Sequence, residues 1–434
     1  MFSPNDETRP RPELEALQAE RLSALVTRVV GAVPTYRDKF ASAGVDPASV
    51  RGLEDLGKVP FTVKDDLRAA YPYGMFAVPR DQIVRVHASS GTTGQITVVG
   101  YTREDISMWA DMMARTLAGA GAGPSDIVQN SYGYGLFTGG LGVHYGSERL
   151  GSLTIPVSGG NTARQVQIMR DFGTTILACT PSYALHLAEA AADAGVDIRE
   201  LPVRAGVFGA EPWSDAMRVQ LESALGAKAH DIYGLSEVLG PGVAFECEHQ
   251  NGLHVNEDHF LVEILDPDTL APVPDGTWGE VVFTTLTKQG IPLLRYRTRD
   301  ISRIITGTCE CGRTFRRMAR ITGRTDDMII VRGVNVFPSQ IEQVLAGFPG
   351  VAPHYQVVLY KDGPMDAVEV RVEVSPDIDF DEIKVLEKLQ NDVRGAIASA
   401  LAISVRVKMV EPKSIQRSEG KAQRVIDLRK EGQA

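Results

Sequence analysis

At 434 residues the chain is too long for one ordinary core, so two or three domains are expected. Its composition, 43% hydrophobic and 23% charged, is that of a soluble globular protein, while a net charge of -10 argues against sequence-independent nucleic-acid binding and an anionic membrane surface. The N-terminus, MFSPNDETRPRPELEAL, has no apolar stretch of signal-peptide type, and no run of about eighteen apolar residues occurs anywhere. A cytoplasmic protein that spans no membrane is the expectation, and four cysteines are too few for a disulfide framework.

Residues 13–44 read as helix, with Leu14, Leu17, Leu22, Leu25, Val26 and Val29 on a helical period. From about 83 to 245, apolar strand-like runs (83–86, 127–129, 154–156, 176–179, 204–208, 229–232) alternate with amphipathic segments such as 162–172, 181–194 and 213–225. Such alternation predicts βαβ units and a largely parallel sheet covered on both faces. Glycine- and hydroxyl-rich turns at 89–94, 158–161, 209–212 and 234–236 follow several of these strands. In open parallel sheets, ligands bind at the carboxyl ends of strands, so these turns should converge on one crevice. Residues 258–307 change character: strands at 260–265 and 280–285, separated by turn clusters, predict an antiparallel subdomain. Beyond 325 the order is strand 328–331, helix from Pro338, strands 355–360 and 367–374, helix 379–401 and strand 403–410, a small α+β domain. The charged C-terminus reads as a frayed helix. The fold class is therefore α/β: a large N-terminal domain, 1–325, with parallel-type sheets flanked by helices plus an antiparallel β subdomain, and a small mobile α+β domain, 326–434.

One loop stands out, Ser89-Ser90-Gly91-Thr92-Thr93-Gly94. Successive backbone N–H groups in a glycine-rich turn make a nest for an anion, and hydroxyls add donors without bulk. A plain hairpin turn is the alternative that the hydroxyl residues clustered with two glycines disfavour. It is not the phosphate loop of nucleoside triphosphatases, because neither spacing nor lysine fits, and Gln95 follows the last glycine. Cys309-x-Cys311, with Cys247 and either His249 or His254, would complete a tetrahedral Cys₃His zinc site. Four unrelated reduced cysteines are the plainer alternative.

Further words follow the loop in order: GAEPW (209–213), IYGLSE (232–237), YRTRD (296–300) and GRTDD (323–327). With the loop they resemble the adenylate-forming superfamily of acyl-CoA synthetases, luciferases and peptide-synthetase adenylation domains. More closely, YGYGLFTGGLGVHYG (132–146), PVSGGNT (156–162), CTPSYAL (179–185), EDHF (257–260), FTTLTK (283–288) and IIVRGVNVFPSQIE (329–342) resemble the phenylacetate–CoA ligases, from about residue 15 to 428.

The resemblance implies a ligase using ATP, Mg²⁺ and CoA: a carboxylate attacks the α-phosphate, pyrophosphate leaves, and the CoA thiol then displaces AMP. Such transfers need positioning and charge neutralisation rather than a protein nucleophile. By matched position, the loop Ser89, Ser90, Gly91, Thr92, Thr93 and Gly94 grips the phosphates and Glu237 holds Mg²⁺. Gly209, Ala210, Glu211, Pro212, Asp231, Ile232, Tyr233, Gly234 and Ser236 line the nucleotide, with Tyr233 stacked on the base. Asp300 accepts from the ribose hydroxyls and Arg324 lies close by. Asp326 is the hinge, and Lys421 is the adenylation lysine. Tyr134, Phe137, Gly139, Gly140, Ala210 and Ile232 outline an aryl-acid pocket, glycines beside aromatics leaving room for a flat ring. For zinc, Cys247, His254, Cys309 and Cys311 are the preferred set, a trait of some relatives and not others. Family analogy adds a homodimer.

Phenylacetate is the first expected acid, with benzoate, anthranilate or indoleacetate, or transfer to a carrier protein, as alternatives. A non-catalytic nucleotide-binding relative is disfavoured because Glu237, Asp300, Arg324 and Lys421 are all present. Where many relatives carry Lys-Pro after the loop, this chain has Gln95-Ile96, which removes a positive charge and predicts weaker ATP binding with chemistry retained.

Overall fold

The computed structural model describes residues 1–89, 96–326, 329–331, 334–362, 365–401 and 403–429. The chain divides into two compact units, one formed by Met1–Cys179, Glu200–Ala210 and Lys228–Arg320, the other by Thr180–Arg199, Glu211–Ala227 and Ile321–Ala434.

The first unit is built on a nine-stranded sheet. Strands Leu153–Ile155, Ile127–Asn130, Ile176–Cys179, Ala205–Gly209 and Lys228–Leu235 are neighbours in that order and all parallel. The sheet then turns antiparallel through Gly240–Glu246, Leu253–Val255, Arg317–Met318 and Ile304–Ile305. The central parallel strands Ile176–Cys179 and Ala205–Gly209 are buried along their whole length, as a doubly covered sheet requires. A separate antiparallel layer runs Phe260–Leu265, Gly279–Thr285, Tyr296–Ser302.

Two expectations need correction. The single helix over 13–44 is two, Arg11–Ala32 and Pro34–Ala43, because Pro34 lacks the N–H that would continue the ladder. The run at 83–86 is no member of the parallel sheet. It leads into Arg85–Ser89, which pairs antiparallel with Thr97–Tyr101 as a separate two-stranded sheet. A short strand not anticipated from the sequence forms at Val425–Asp427, and the extreme C-terminus, expected as a frayed helix, lies outside the described residues beyond 429.

Two helices not anticipated from periodicity complete the unit's core. Arg103–Gly119 opens on a reciprocal cap in which Thr102 Oγ1 accepts from Asp105 N and Asp105 Oδ2 accepts from Thr102 N. Thr138–Leu150 packs against it through glycines: a Cβ on Gly142 would lie 2.7 Å from the Trp109 ring, and one on Gly146 would lie 2.3 Å from Met113 Cβ. Glycine is present for close helix approach, against its poor helix propensity.

In the second unit Val351–Asp362 and Met365–Val374 pair antiparallel, flanked in parallel by Val425–Asp427 and Arg406–Val410. The alternation in 368–374 puts Val368, Val370, Val372 and Val374 into a core with Ile341 of the helix Pro338–Leu345 and Val393 and Ile397 of the helix Ile383–Leu401. Helices Pro181–Asp193 and Asp215–Leu225 belong to the same unit.

Candidate functional site

Five parallel strands aligned side by side place their carboxyl ends along one edge of the sheet, and the turns at 158–161, 209–212 and 236–239 leave from that edge. Glu237 lies in the turn joining Lys228–Leu235 to Gly240–Glu246 and is buried. Its Oε1 accepts from Ser89 Oγ at 3.1 Å, at the end of the hairpin strand, and lies 3.3 Å from the Lys64 ammonium. Beneath it, the fully buried Lys288 donates to the backbone carbonyls of Glu237 and Val238 at 3.3 and 3.0 Å and sits 4.6 Å over the Tyr101 ring. Burial lowers the Lys288 ammonium to about 8, against the pull of Asp105 and Glu237. A carboxylate, a hydroxyl and the Lys64 ammonium thus meet at the end of the hairpin strand, with Lys288 holding the turn that carries Glu237, the chemistry that a polyphosphate and its divalent cation require. Of the phosphate-loop residues Ser89 is described; Ser90, Gly91, Thr92, Thr93, Gly94 and Gln95 lie outside the described residues.

Along the same strand end, Tyr233 donates its hydroxyl to Asp300 Oδ2 at 2.6 Å and lies against Phe283, centroids 5.9 Å apart. Gly209 and Ile232 are direct sheet partners, and a Cβ on Gly209 would come within 2.4 Å of the Ile232 carbonyl. Ala210 holds a left-handed φ of 71°, a strained conformation for a residue with a side chain. Gly234 is equally constrained, since a Cβ there would meet the Gly240 carbonyl at 1.8 Å. Ser236 Oγ bonds with Thr138 Oγ1 at 3.2 Å. Asp231 is engaged differently: its carboxylate accepts from Arg320 Nε at 3.1 Å and its N–H donates to Glu246, so it ties strands together.

The remaining nucleotide candidates lie in the second unit. Arg324 Nε and Nη2 donate to the two oxygens of Asp326 at 2.9 and 3.0 Å. Glu211 accepts from the backbone N–H groups of Ser182 and Ala422, both at 2.8 Å, and Pro212 is exposed. Lys421 is exposed in the turn 418–421.

The aryl-pocket candidates form two groups. Tyr134 accepts from Asn130 Nδ2 at 2.7 Å and meets the His144 ring edge-on, and burial pushes its hydroxyl up to about 12. Gly139 and Gly140 lie directly against Phe137 and Tyr134: a Cβ on either would approach those rings within 2.5 and 3.0 Å. Ile232 and Ala210 form the second group at the strand ends.

Cys247, His254, Cys309 and Cys311 present donor atoms all within 4.8 Å of one another. Cys247 Sγ lies 3.6 Å from Cys309 Sγ, too far for a disulfide, and Cys311 Sγ lies 3.4 Å from His254 Nε2. A tetrahedral zinc would need edges of about 3.8 Å between sulfurs and about 3.5 Å between sulfur and nitrogen. The donor set fits. His249 is not part of it; its ring faces Glu310 at 3.6 Å. Hydrogen bonds from Cys247 and His254 hold the Cys311 thiol down, while the same contact with Cys311 pushes Cys247 up.

The chain matches the AMP-binding enzyme family over residues 16–286 and the AMP-binding enzyme C-terminal domain over 333–429. It is 51% identical to the phenylacetate-coenzyme A ligase of Thermus thermophilus over 444 aligned positions, covering 99% of this chain and all of that protein. The chain belongs to the phenylacetate–CoA ligase family. The Escherichia coli phenylacetate-coenzyme A ligase is likewise 51% identical, with 98% of this chain and 97% of that one covered. Among solved structures, 2-hydroxyisobutyryl-CoA ligase in its postadenylation state superposes with a TM-score of 0.92 at 31% identity, covering 98% of this chain and 91% of the other. Two lysines that the motifs did not single out, Lys64 and Lys288, contact Glu237 in this chain. Lys288 closes the FTTLTK word, but nothing in a linear sequence says that its ammonium ends under Glu237.

Proposed function

We propose that the chain is an AMP-forming phenylacetate–CoA ligase. In the first half-reaction a phenylacetate oxygen attacks the α-phosphorus of ATP, the bond to the bridging oxygen breaks, and pyrophosphate leaves with that electron pair. In the second, the CoA thiol loses its proton and attacks the acyl carbonyl, and the bond to the AMP oxygen breaks. The observation that carries the reading is the buried Glu237 carboxylate, held between Ser89 Oγ and Lys64 beside the hairpin loop, in a chain 51% identical end to end to a phenylacetate-coenzyme A ligase.

In this reading Glu237 would hold Mg²⁺, which when bound neutralises phosphate charge. Ser89 and the loop orient the phosphates, Asp300 takes the ribose hydroxyls, and the Tyr233 bond to Asp300 fixes that carboxylate in place. Tyr134 and Phe137 wall the aryl ring. Lys421 neutralises charge between α-phosphate and carboxylate during adenylation, and Asp326 is the hinge that retires it before the thiol attacks. Cys247, His254, Cys309 and Cys311 would hold a structural Zn²⁺, a closed four-ligand site with no open position for catalysis. A cytoplasmic homodimer completes the proposal.

The test separates the half-reactions. Lys421→Ala should abolish phenylacetate-dependent ATP–pyrophosphate exchange yet leave thioester formation from supplied phenylacetyl-AMP and CoA. Equal loss of both would refute the role given to Lys421.

A further inference from the structure

Lys421 sits in the turn Arg417-Ser418-Glu419-Gly420-Lys421-Ala422, whose glycine and small residues give it little stiffness of its own. Within the second unit, side chains fix it one peptide at a time. Thr180, the N-cap of the helix Pro181–Asp193, donates its hydroxyl to the Gly420 carbonyl at 2.9 Å. Ser418 Oγ donates to the Lys421 carbonyl at 2.7 Å. Glu211 then accepts from the Ala422 N–H with one oxygen and, with the other, from the Ser182 N–H in the first turn of the helix, both at 2.8 Å. An amide in a helix's first turn has no partner within the helix, and the partial positive charge there favours a carboxylate. Further back, Arg417 is clamped by Glu189 of that helix, at 2.9 and 3.2 Å, and by Glu373 at 2.8 Å.

Both peptides bordering Lys421 are therefore tied to residues 180–182 and 211, while its side chain is exposed. We propose that Glu211, together with Thr180, is a positioning residue for Lys421, acting through the backbone on either side of the lysine rather than by touching the nucleotide. This rests on the adenylation role given above to Lys421, and it departs from the expectation that Glu211 lines the nucleotide. A carboxylate with its two oxygens on two N–H groups of separate segments is a bridge. Displacing the backbone by even about 1 Å at such a point is enough to cost one to two orders of magnitude in rate.

Glu211→Gln keeps shape and one acceptor but turns an NH₂ toward an N–H donor, and Thr180→Val removes the hydroxyl without changing size. Each should lower phenylacetate-dependent ATP–pyrophosphate exchange on the order of tenfold. Thioester formation from supplied phenylacetyl-AMP and the KM for ATP should each stay within about twofold, because the groups reached through Lys421 act only in adenylation. The Glu211→Gln/Lys421→Ala double variant should be no slower than Lys421→Ala, since a residue acting through the lysine has nothing left to act on. A raised KM for ATP with both half-reactions slowed would make Glu211 a nucleotide contact and overturn the proposal. Exchange at the wild-type rate in Glu211→Gln, with Lys421→Ala inactive, would overturn it while sparing the reading of Lys421. If Lys421→Ala itself exchanges normally, that reading fails first and the positioning role fails with it.

Discussion

Replacing Lys288 by methionine sets two large terms against each other. The ammonium is fully buried, and its fall from the ordinary lysine value of 10.5 to about 8 corresponds to about 3 kcal/mol of disfavoured charge. Against this stand its two bonds to the carbonyls of Glu237 and Val238, each worth roughly 1.5–3 kcal/mol as charged hydrogen bonds. The terms largely offset, so Lys288→Met should change unfolding stability at pH 7.5 by no more than about 3 kcal/mol. Activity should not be spared. Without the lysine the turn carrying Glu237 loses its only buried cationic anchor among the described contacts, and ATP–pyrophosphate exchange should fall about 10- to 100-fold. The stability difference must also depend on pH. A lysine with a lowered native value binds fewer protons folded than unfolded between about 8 and 10.5, so stability rises with pH across that window. From pH 7.5 to 9.5 the wild type should gain roughly 2 kcal/mol relative to Lys288→Met in paired urea melts. Parallel pH responses of the two proteins, or exchange undiminished in the variant, would refute this account of Lys288.

Lys64 is a third exposed and paired to Glu237, so Lys64→Met should raise the KM for ATP several-fold, about 3- to 10-fold, with thioester formation from supplied acyl-AMP unchanged. In the opposite direction, Gln95→Lys should lower the KM for ATP, and no change would mean that residue 95 points away from the phosphates. Gly146→Ala must push a methyl into Met113 and should destabilise the first unit by about 2–4 kcal/mol in thermal or urea melts; a change under about 1 kcal/mol would show that the two helices separate easily. Elemental analysis should find about one zinc per chain, and Cys309→Ser should lose it along with stability; less than about a tenth of an equivalent in gently purified protein would remove zinc from the account.

What could be read from the sequence was whatever local chemistry dictates. The apolar run 176–179 and the amphipathic run 162–172 fold as read, because buried parallel strands and surface helices advertise their environment in their own residues. Cys309-x-Cys311 likewise drew attention to a cluster in which Cys247 and His254 also present donor atoms, all within 4.8 Å, while His249 lies outside it. The helix 138–150 was hidden by its own glycines, which disfavour helix locally and are tolerated because Trp109 and Met113 occupy the space that side chains would need. The break at Pro34 was visible but lost in an unbroken apolar period. The short strand 425–427, three residues among charged neighbours, gains its partners only from Val351–Asp362. In the candidate site, motif words pointed to Glu237, Tyr233 and Asp300, whereas the contacts of Lys64, Lys288 and Glu211 join segments far apart in sequence.

The central claim is tested most directly by pyrophosphate release with ATP and Mg²⁺ across a panel of acids (phenylacetate, benzoate, anthranilate, indoleacetate and a fatty acid), followed by addition of CoA. Phenylacetate should give the highest kcat/KM, AMP should be the nucleotide product, and CoA should convert the bound adenylate to phenylacetyl-CoA. Full activity on the fatty acid with none on any aryl acid, or an adenylate that CoA does not discharge, would contradict it.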